Sequence, residues 1–331
     1  MKTTAGYPRG IHYLATFLAA YVVLLITAGG LVKSLEAGLS VPDWPLSYGM
    51  VNPPRWWQIE TVRAEHGHRL IAGVALVLTV CLVTWIARRE PRAWVRRLGY
   101  VALGSVLAQA LLGGITVLLY LPKPVSVAHA ALAQLFLCLV VTLAVVTSRR
   151  WCRGPSGRVS DTKYRPLAWL AAITTSLIYL QILIGAVMRH AGAGLAIPDF
   201  PWVFGGLVPP SFDFAIGIHY AHRIGALFVV SCIVLTLARV LTLRGRSASM
   251  VIPAVSMLGI ALVQATLGAL VVLSGKAVAP NTLHVGTGAL LLATSLVLTL
   301  ECFRAAWLAG TTEERTVASI IEGLKPEGVT S

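Results

Sequence analysis

Apolar residues gather into eight stretches along the chain, near 11–32, 66–87, 98–119, 126–148, 167–188, 216–238, 250–273 and 282–303, and the segments between them carry most of the charge and proline. Each stretch has about the 20 residues an α-helix needs to cross a hydrocarbon core about 30 Å thick. Backbone groups in lipid must find partners within their own segment, which selects helices over strands. The pattern therefore predicts an all-α polytopic membrane protein with eight transmembrane helices.

Composition agrees with this. The 331 residues are 56% hydrophobic and only 12% charged, well beyond what a soluble core requires. The formal net charge of +14 would fit a nucleic-acid binder, but the positions of the charges argue against one. Arg88, Arg89, Arg92, Arg96 and Arg97 fall between the second and third runs. Arg149, Arg150, Arg153, Arg158, Lys163 and Arg165 fall between the fourth and fifth, and Arg239, Arg244 and Arg246 between the sixth and seventh. The third and seventh connections hold only Lys123 and Lys276. This is a positive-inside asymmetry, and it predicts that both termini are cytoplasmic. Lys2 and Arg9 lead into an apolar run long enough to span, without a small-residue cleavage site or a transit-peptide composition, so a retained first helix in a prokaryotic inner membrane is expected. The five cysteines, Cys81, Cys138, Cys152, Cys232 and Cys302, fall on the cytoplasmic side or in cytoplasmic halves of helices, where helix packing is their default role and a disulfide would not persist.

The chain repeats itself. Lys33-Ser34 and Val41-Pro42-Asp43-Trp44-Pro45 match Arg189-His190 and Ile197-Pro198-Asp199-Phe200-Pro201 at an offset of 156, and Gln109-Ala110-Leu111-Leu112-Gly113 matches Gln264-Ala265-Thr266-Leu267-Gly268. Four helices per unit give both units the same orientation, as parallel repeats. The expected organisation is an N-terminal four-helix bundle over 1–150, a cytoplasmic linker over 151–166 centred on Gly154-Pro155-Ser156-Gly157, a C-terminal bundle over 167–305 and a cytoplasmic tail over 306–331. The two long outer loops, each with a Pro-Asp-aromatic-Pro motif, are expected to fold over the mouths of the bundles. The aspartates either cap loop amides or take part in chemistry.

The chemistry is carried by histidines at helix ends. His68 and His129 open the second and fourth helices; His222 and His284 open the sixth and eighth, 154 and 155 residues later. Neutral imidazoles facing each other from different helices are axial ligands for haem iron. Zinc would need a third ligand, and none recurs in both halves. Glu65 stands where the second half has His219, and at i, i+3 it shares a helix face with His68. An intramembrane carboxylate is a functional candidate: it could transfer protons, tune the ligand, or serve the helix dipole. Arg69 and Arg223, which follow His68 and His222, either pair with haem propionates or snorkel to the interface. Gln109 and Gln264 read as helix-packing residues, and Gly29-Gly30, Gly113-Gly114, Gly185 and Gly268 admit close approach of a helix or a flat macrocycle. His12, His66 and His190 have no counterpart in the other half.

These residues resemble the haem A synthase family. The likeness covers about 11–303 and rests on Gly29-Gly30-Leu31-Val32-Lys33, Gly38-Leu39 with Pro42-Asp43-Trp44-Pro45, Glu65-x-x-His68-Arg69, His129, Pro198-Asp199-Phe200-Pro201, His222-Arg223 and His284. It implies two pseudosymmetric four-helix bundles and oxidation of the C8 methyl of haem O to a formyl group by successive hydroxylations, giving haem A for cytochrome oxidase. It also implies haem B as cofactor on His222 and His284, with the substrate haem O near His68, His129 and Glu65, and Arg69 and Arg223 beside the two haems. Haem O synthase and an unidentified electron donor are the implied partners, and a homo-oligomer is left open. The chain departs from many members in having Val41 and Ser47 where they carry an outer cysteine pair, so it resembles a cysteine-lacking class and no outer thiol role carries over. Two other readings accommodate four histidines: a di-haem cytochrome b-type electron carrier, and a haem exporter. The carrier does not account for Glu65, and the exporter predicts no oxidised product.

Overall fold

A computed structural model of the chain describes residues 9–153, 164–243 and 247–323, the side chains of Arg153, Tyr164 and 308–323 excepted. Eight of its helices are long and apolar enough to cross a membrane: α1 (Arg9–Ser34), α2 (Glu60–Arg89), α3 (Ala93–Leu118), α4 (Lys123–Val146), α6 (Tyr164–His190), α7 (Phe214–Thr242), α8 (Ala248–Leu273) and α9 (Val278–Gly323). A short α5 (Arg149–Arg153) follows α4. Among the described residues there are no strands, only the isolated bridges Ser47–Met50 and Val203–Gly206 in the outer loops. The protein is an all-α, multi-pass membrane protein.

The helices close into two rings. In the first, α1 meets α2, α2 meets α3, α3 meets α4 and α4 returns to α1. In the second, α6, α7, α8 and α9 follow the same order. Each ring has its own apolar core, one around Leu18, Leu82, Phe136 and Leu137, the other around Ile178, Ile233, Met257 and Leu292. Large apolar side chains such as Leu24, Leu111, Leu227 and Leu262 point outward, which suits a lipid-facing surface. α9 borders both rings: Ala289 belongs to the first core, while Leu291, Leu292 and Leu298 belong to the second.

Many hydroxyl groups inside the helices bond to a carbonyl of their own helix, as suits a lipid surrounding. Thr79 donates to the Ala75 carbonyl at 2.7 Å and Thr142 to that of Cys138 at 2.7 Å. Across the second ring, Thr175 joins Ser295 (2.6 Å) and Thr299 (2.8 Å).

The helices begin before the apolar runs: α2 starts at Glu60, α4 at Lys123, α7 at Phe214 and α9 at Val278, so His68, His129, His222 and His284 lie about two turns inside their helices rather than opening them. The segment read as a tail from 306 continues α9 without a break to Gly323. The linker turn at 154–157, Arg158 and Lys163, Lys2, Arg244 and Arg246, and the last residues 324–331 lie outside the described residues.

Candidate haem sites at one end of the two rings

The outer loops are built by their own motifs. Asp43 accepts the amides of Tyr48 and Gly49, both at 2.7 Å. Asp199 accepts those of Phe204 (2.9 Å) and Gly205 (2.7 Å). These are the capping bonds that a short carboxylate makes in a turn, and in both loops the two amides belong to consecutive residues with positive φ. The amide bonds, Gly49 or Gly205 foremost, hold each carboxyl below the usual carboxylate range against a small opposing effect of burial. The loop glycine is required at the left-handed position. Trp44–Pro45 and Phe200–Pro201 are both cis. The first loop reaches the ring through Trp44, whose indole lies against Gly114 of α3.

Two arginines clamp these loops to the helices that carry the histidines. Arg69 donates to the carbonyls of Asp43 (2.7 Å), Leu46 (2.8 Å) and Val41 (3.0 Å), and to Glu65 Oε1 (2.7 Å). Arg223 donates to the carbonyls of Trp202 (2.9 Å), Ile197 (3.1 Å) and Asp199 (2.7 Å), and its Nε lies 3.2 Å from His219 Nε2. A guanidinium has five N–H donors, so each arginine has one left over.

Glu65 and His219 occupy the same place in this scheme. Glu65 Oε2 accepts the Val41 amide at 2.8 Å, and His219 Nδ1 accepts the Ile197 amide at 3.2 Å. The first half thus sets a buried carboxylate, 4% exposed, where the second half sets an imidazole. Next to Glu65, His66 is also buried: its Nδ1 meets Ser47 Oγ at 2.9 Å, Trp56 lies edge-on to its ring at 4.9 Å, and its Nε2 has no partner. Val41 and Ser47, the two loop positions where a cysteine pair was looked for, therefore sit against Glu65 and His66.

The four histidines each face a glycine of a neighbouring helix. A Cβ added at Gly29 would lie 3.1 Å from His68 Cε1, and one at Gly113 would lie 3.1 Å from His129 Cε1. At Gly185 it would lie 2.9 Å from His222 Cε1, and at Gly268 3.1 Å from His284 Cε1. The pairing occurs twice in each half at repeat-related positions, and a side chain on the helix behind each imidazole would press on the ring, most of all at Gly185.

In the second half the two rings face one another across 6.4 Å between centres, at 68°. Two metal–nitrogen bonds of about 2.0 Å, plus about 1.1 Å from each nitrogen to its ring centre, separate the imidazoles of a six-coordinate bis-histidine iron by roughly 6 Å. The observed separation fits haem iron between them. Among the described residues no three His, Cys, Asp or Glu side chains gather as a metal-binding group.

The support behind the histidines differs between halves. Gln181 of α6 donates its amide to the His222 carbonyl at 2.7 Å and lies 3.0 Å from its Nδ1. His284 Nδ1 lies 3.1 Å from the Gln264 carbonyl, and its Nε2 lies 3.3 Å from the Gln264 side-chain amide. In the first half Gln109 reaches only the His129 carbonyl, at 2.9 Å, and the Nδ1 atoms of both His68 and His129 are buried without a partner. Gln109 and Gln264, read from sequence as packing residues, thus touch the histidines themselves. Gln181 was missed because its repeat counterpart is Leu25. The signal that could have found it is the one that exposed Glu65, a polar residue breaking an otherwise faithful repeat.

The sequence profile of the COX15-CtaA family, described as cytochrome oxidase assembly protein, matches residues 65–296, a span that contains all four histidines and Glu65. The chain belongs to this family. Relatives include the heme A synthase of Symbiobacterium thermophilum, 30% identical over 64% of this chain and 69% of that protein. The heme A synthases of Shouchella clausii and Halalkalibacterium halodurans are 29% and 26% identical, each over 89% of this chain and 96% of the relative. The family match and these full-length similarities agree with the resemblance carried by the loop and histidine motifs.

Proposed function

We propose that this chain is a haem A synthase, an oxidoreductase that converts the C8 methyl of haem O to a formyl group. The observation that carries this reading is the pair of two-histidine sites with one asymmetric buried carboxylate, in a chain of this family. His222 and His284 hold haem B. Their ring spacing, their glycine backing and the Gln264 carbonyl that can accept the Nδ1–H of His284 support a permanently held cofactor, because a ligating histidine is normally oriented by a bond from its other ring nitrogen. Haem B supplies one-electron and oxygen chemistry when bound. His68 and His129, whose Nδ1 atoms lack such support, receive the substrate haem O.

Glu65 is the catalytic carboxylate of the first site. Arg69 and the Val41 amide hold its two oxygens, and at i, i+3 Glu65 shares a helix face with His68, so a proton moved at Oε1 or Oε2 is moved next to the first histidine pair. Arg69 and Arg223 act on the haem edges through the loops they brace. Each hydroxylation consumes one O₂, two electrons and two protons and releases one water; a second gives a gem-diol, which loses water to the aldehyde. The electrons come from a separate donor, and haem O synthase supplies the substrate.

The N-terminal half, 1–150, is the substrate half and 167–305 the cofactor half, related as parallel repeats. With the arginine-rich connections toward the cytoplasm, as the positive-inside asymmetry supports, both termini are cytoplasmic and all four histidines lie toward the outer side of the membrane.

The test is expression in a host that makes haem O but no haem A, followed by haem extraction, chromatography and mass analysis. Haem A or its hydroxylated precursor is expected. A folded, haem-loaded protein with reductant present that yields only unmodified haem B and haem O would refute the synthase and favour an electron carrier.

A further inference from the structure

We propose that Arg189 is the anchor for a propionate carboxylate of the haem held by His222 and His284, a site distinct from Arg69 and Arg223. The proposal rests on the haem reading of the second half. Gly185 is the α6 residue that backs His222, and Arg189 lies four residues further along, on the same helix face one turn outward. A macrocycle admitted by that glycine has its edge at the level of Arg189.

The arginine's own bonding leaves it short of a partner. Nη2 donates to the Gly30 carbonyl and to Ser34 Oγ of α1, both at 2.8 Å. Ser34 Oγ also accepts from Thr282 of α9 at 3.0 Å. Nε is buried and bonds to nothing. Glu36 is within electrostatic reach, but it is exposed and already paired with Lys33 at 2.6 Å. A cation sunk at a three-helix junction without a carboxylate is costly unless an anion completes it. Arg189 also lies within electrostatic reach of His284, the other histidine of the same pair. By contrast, Arg69 and Arg223 have four of their five donors taken up by the chain.

Lys33, the repeat counterpart of Arg189, stands in the same relation to Gly29 and His68, but it is partly exposed and has Glu36. The cation with a buried, unbonded Nε and no carboxylate partner belongs to the half with the supported histidines. A carboxylate and a guanidinium match as a bidentate, charge-assisted pair, so the class of ligand is a carboxylate at a porphyrin edge.

The test uses the full chain, made without haem in a haem-deficient host and carrying His129→Ala so that only the second pair binds. It is titrated with iron protoporphyrin IX and with its dimethyl ester, in zwitterionic detergent free of anionic lipid. The readout is the bis-histidine absorption spectrum. The unaltered Arg189 is expected to favour the free acid over the ester by at least about tenfold, and Arg189→Gln to abolish that preference while binding the ester as before. Arg189→Lys, which keeps the charge for assembly, is expected to reduce the preference at least about threefold. If the arginine protein does not discriminate, or if either variant discriminates as well as it does, the proposal is overturned and Arg189 is an interhelical strut. Absence of any bis-histidine spectrum would instead count against the haem site itself.

Discussion

Gly185→Ala is the sharpest probe of the second site, because the structure fixes how far His222 must move. The new Cβ would lie 2.9 Å from His222 Cε1, 3.4 Å from Nδ1 and 3.7 Å from Nε2. Restoring ordinary contact at Cε1, about 3.4 Å, displaces the imidazole by about 0.5 Å, whereas metal–ligand distances tolerate about 0.2 Å. Gln181, one turn earlier on the same face of α6, lies 3.0 Å from Nδ1, so a shift of the ring away from that face stretches or breaks this contact. Overpacking costs about 1–3 kcal/mol, and alanine recovers about 1 kcal/mol over glycine within a helix. The net loss, about 0–2 kcal/mol, is small beside typical fold stabilities of about 5–15 kcal/mol. The variant should therefore fold yet lose the six-coordinate, low-spin signature, read by absorption and electron paramagnetic resonance of the purified protein. Gly259→Ala, where nothing lies within 4 Å, is the matched control. A Gly185→Ala protein with an unchanged bis-histidine spectrum and the thermal stability of the control would refute the idea that this glycine makes room for the ligand.

Four further outcomes follow from the geometry. His222→Ala or His284→Ala should remove bound haem B, measured as haem per polypeptide by pyridine haemochromogen. Glu65→Ala should retain that haem while haem A formation falls by roughly 10²-fold or more; normal haem A yields would remove the carboxylate from the mechanism. Gln181→Leu should weaken haem B retention by about 10–100-fold without altering the first site, and haem loss rates that match the parent would show that His222 needs no such support. Asp43 is held below its ordinary value of 3.8, so its carboxylate stabilises the first outer loop at all pH above that value and ceases to do so as pH falls through the lower, folded value. Protease nicking of that loop should thus be flat from pH 5 to 8 and rise only in stronger acid, and Asp43→Ala should be nicked readily at every pH.

The helices and the four histidines were legible because lipid imposes length and periodicity on a sequence and because the duplication marks which positions recur. Where the two copies agree, at the glycines, histidines and loop aspartates, comparing them was enough. Where they differ, Glu65 against His219 was visible because both residues are polar, but Gln181 against Leu25 passed as drift. The partners of Arg69 and Arg223 were not legible at all. They are mostly backbone carbonyls of the loops, and a main-chain acceptor leaves no trace in residue identity. The helical continuation of α9 past 306 has no hydrophobic signature, because a helix can outlast the apolar run that marks its membrane span.

α9 carries a consequence beyond either site. Val285 fills the hollow over Gly30 of the first ring, Gly286 lies against Thr27, and the neighbouring His284 belongs to the second ring. A single inserted residue ahead of His284 would advance this stretch by about 1.5 Å and turn it by about 100°, dislodging a ligand in one half and a knob in the other at one stroke. The two halves repeat one pattern, yet neither can be lengthened, exchanged or excised on its own, because α9 serves both rings.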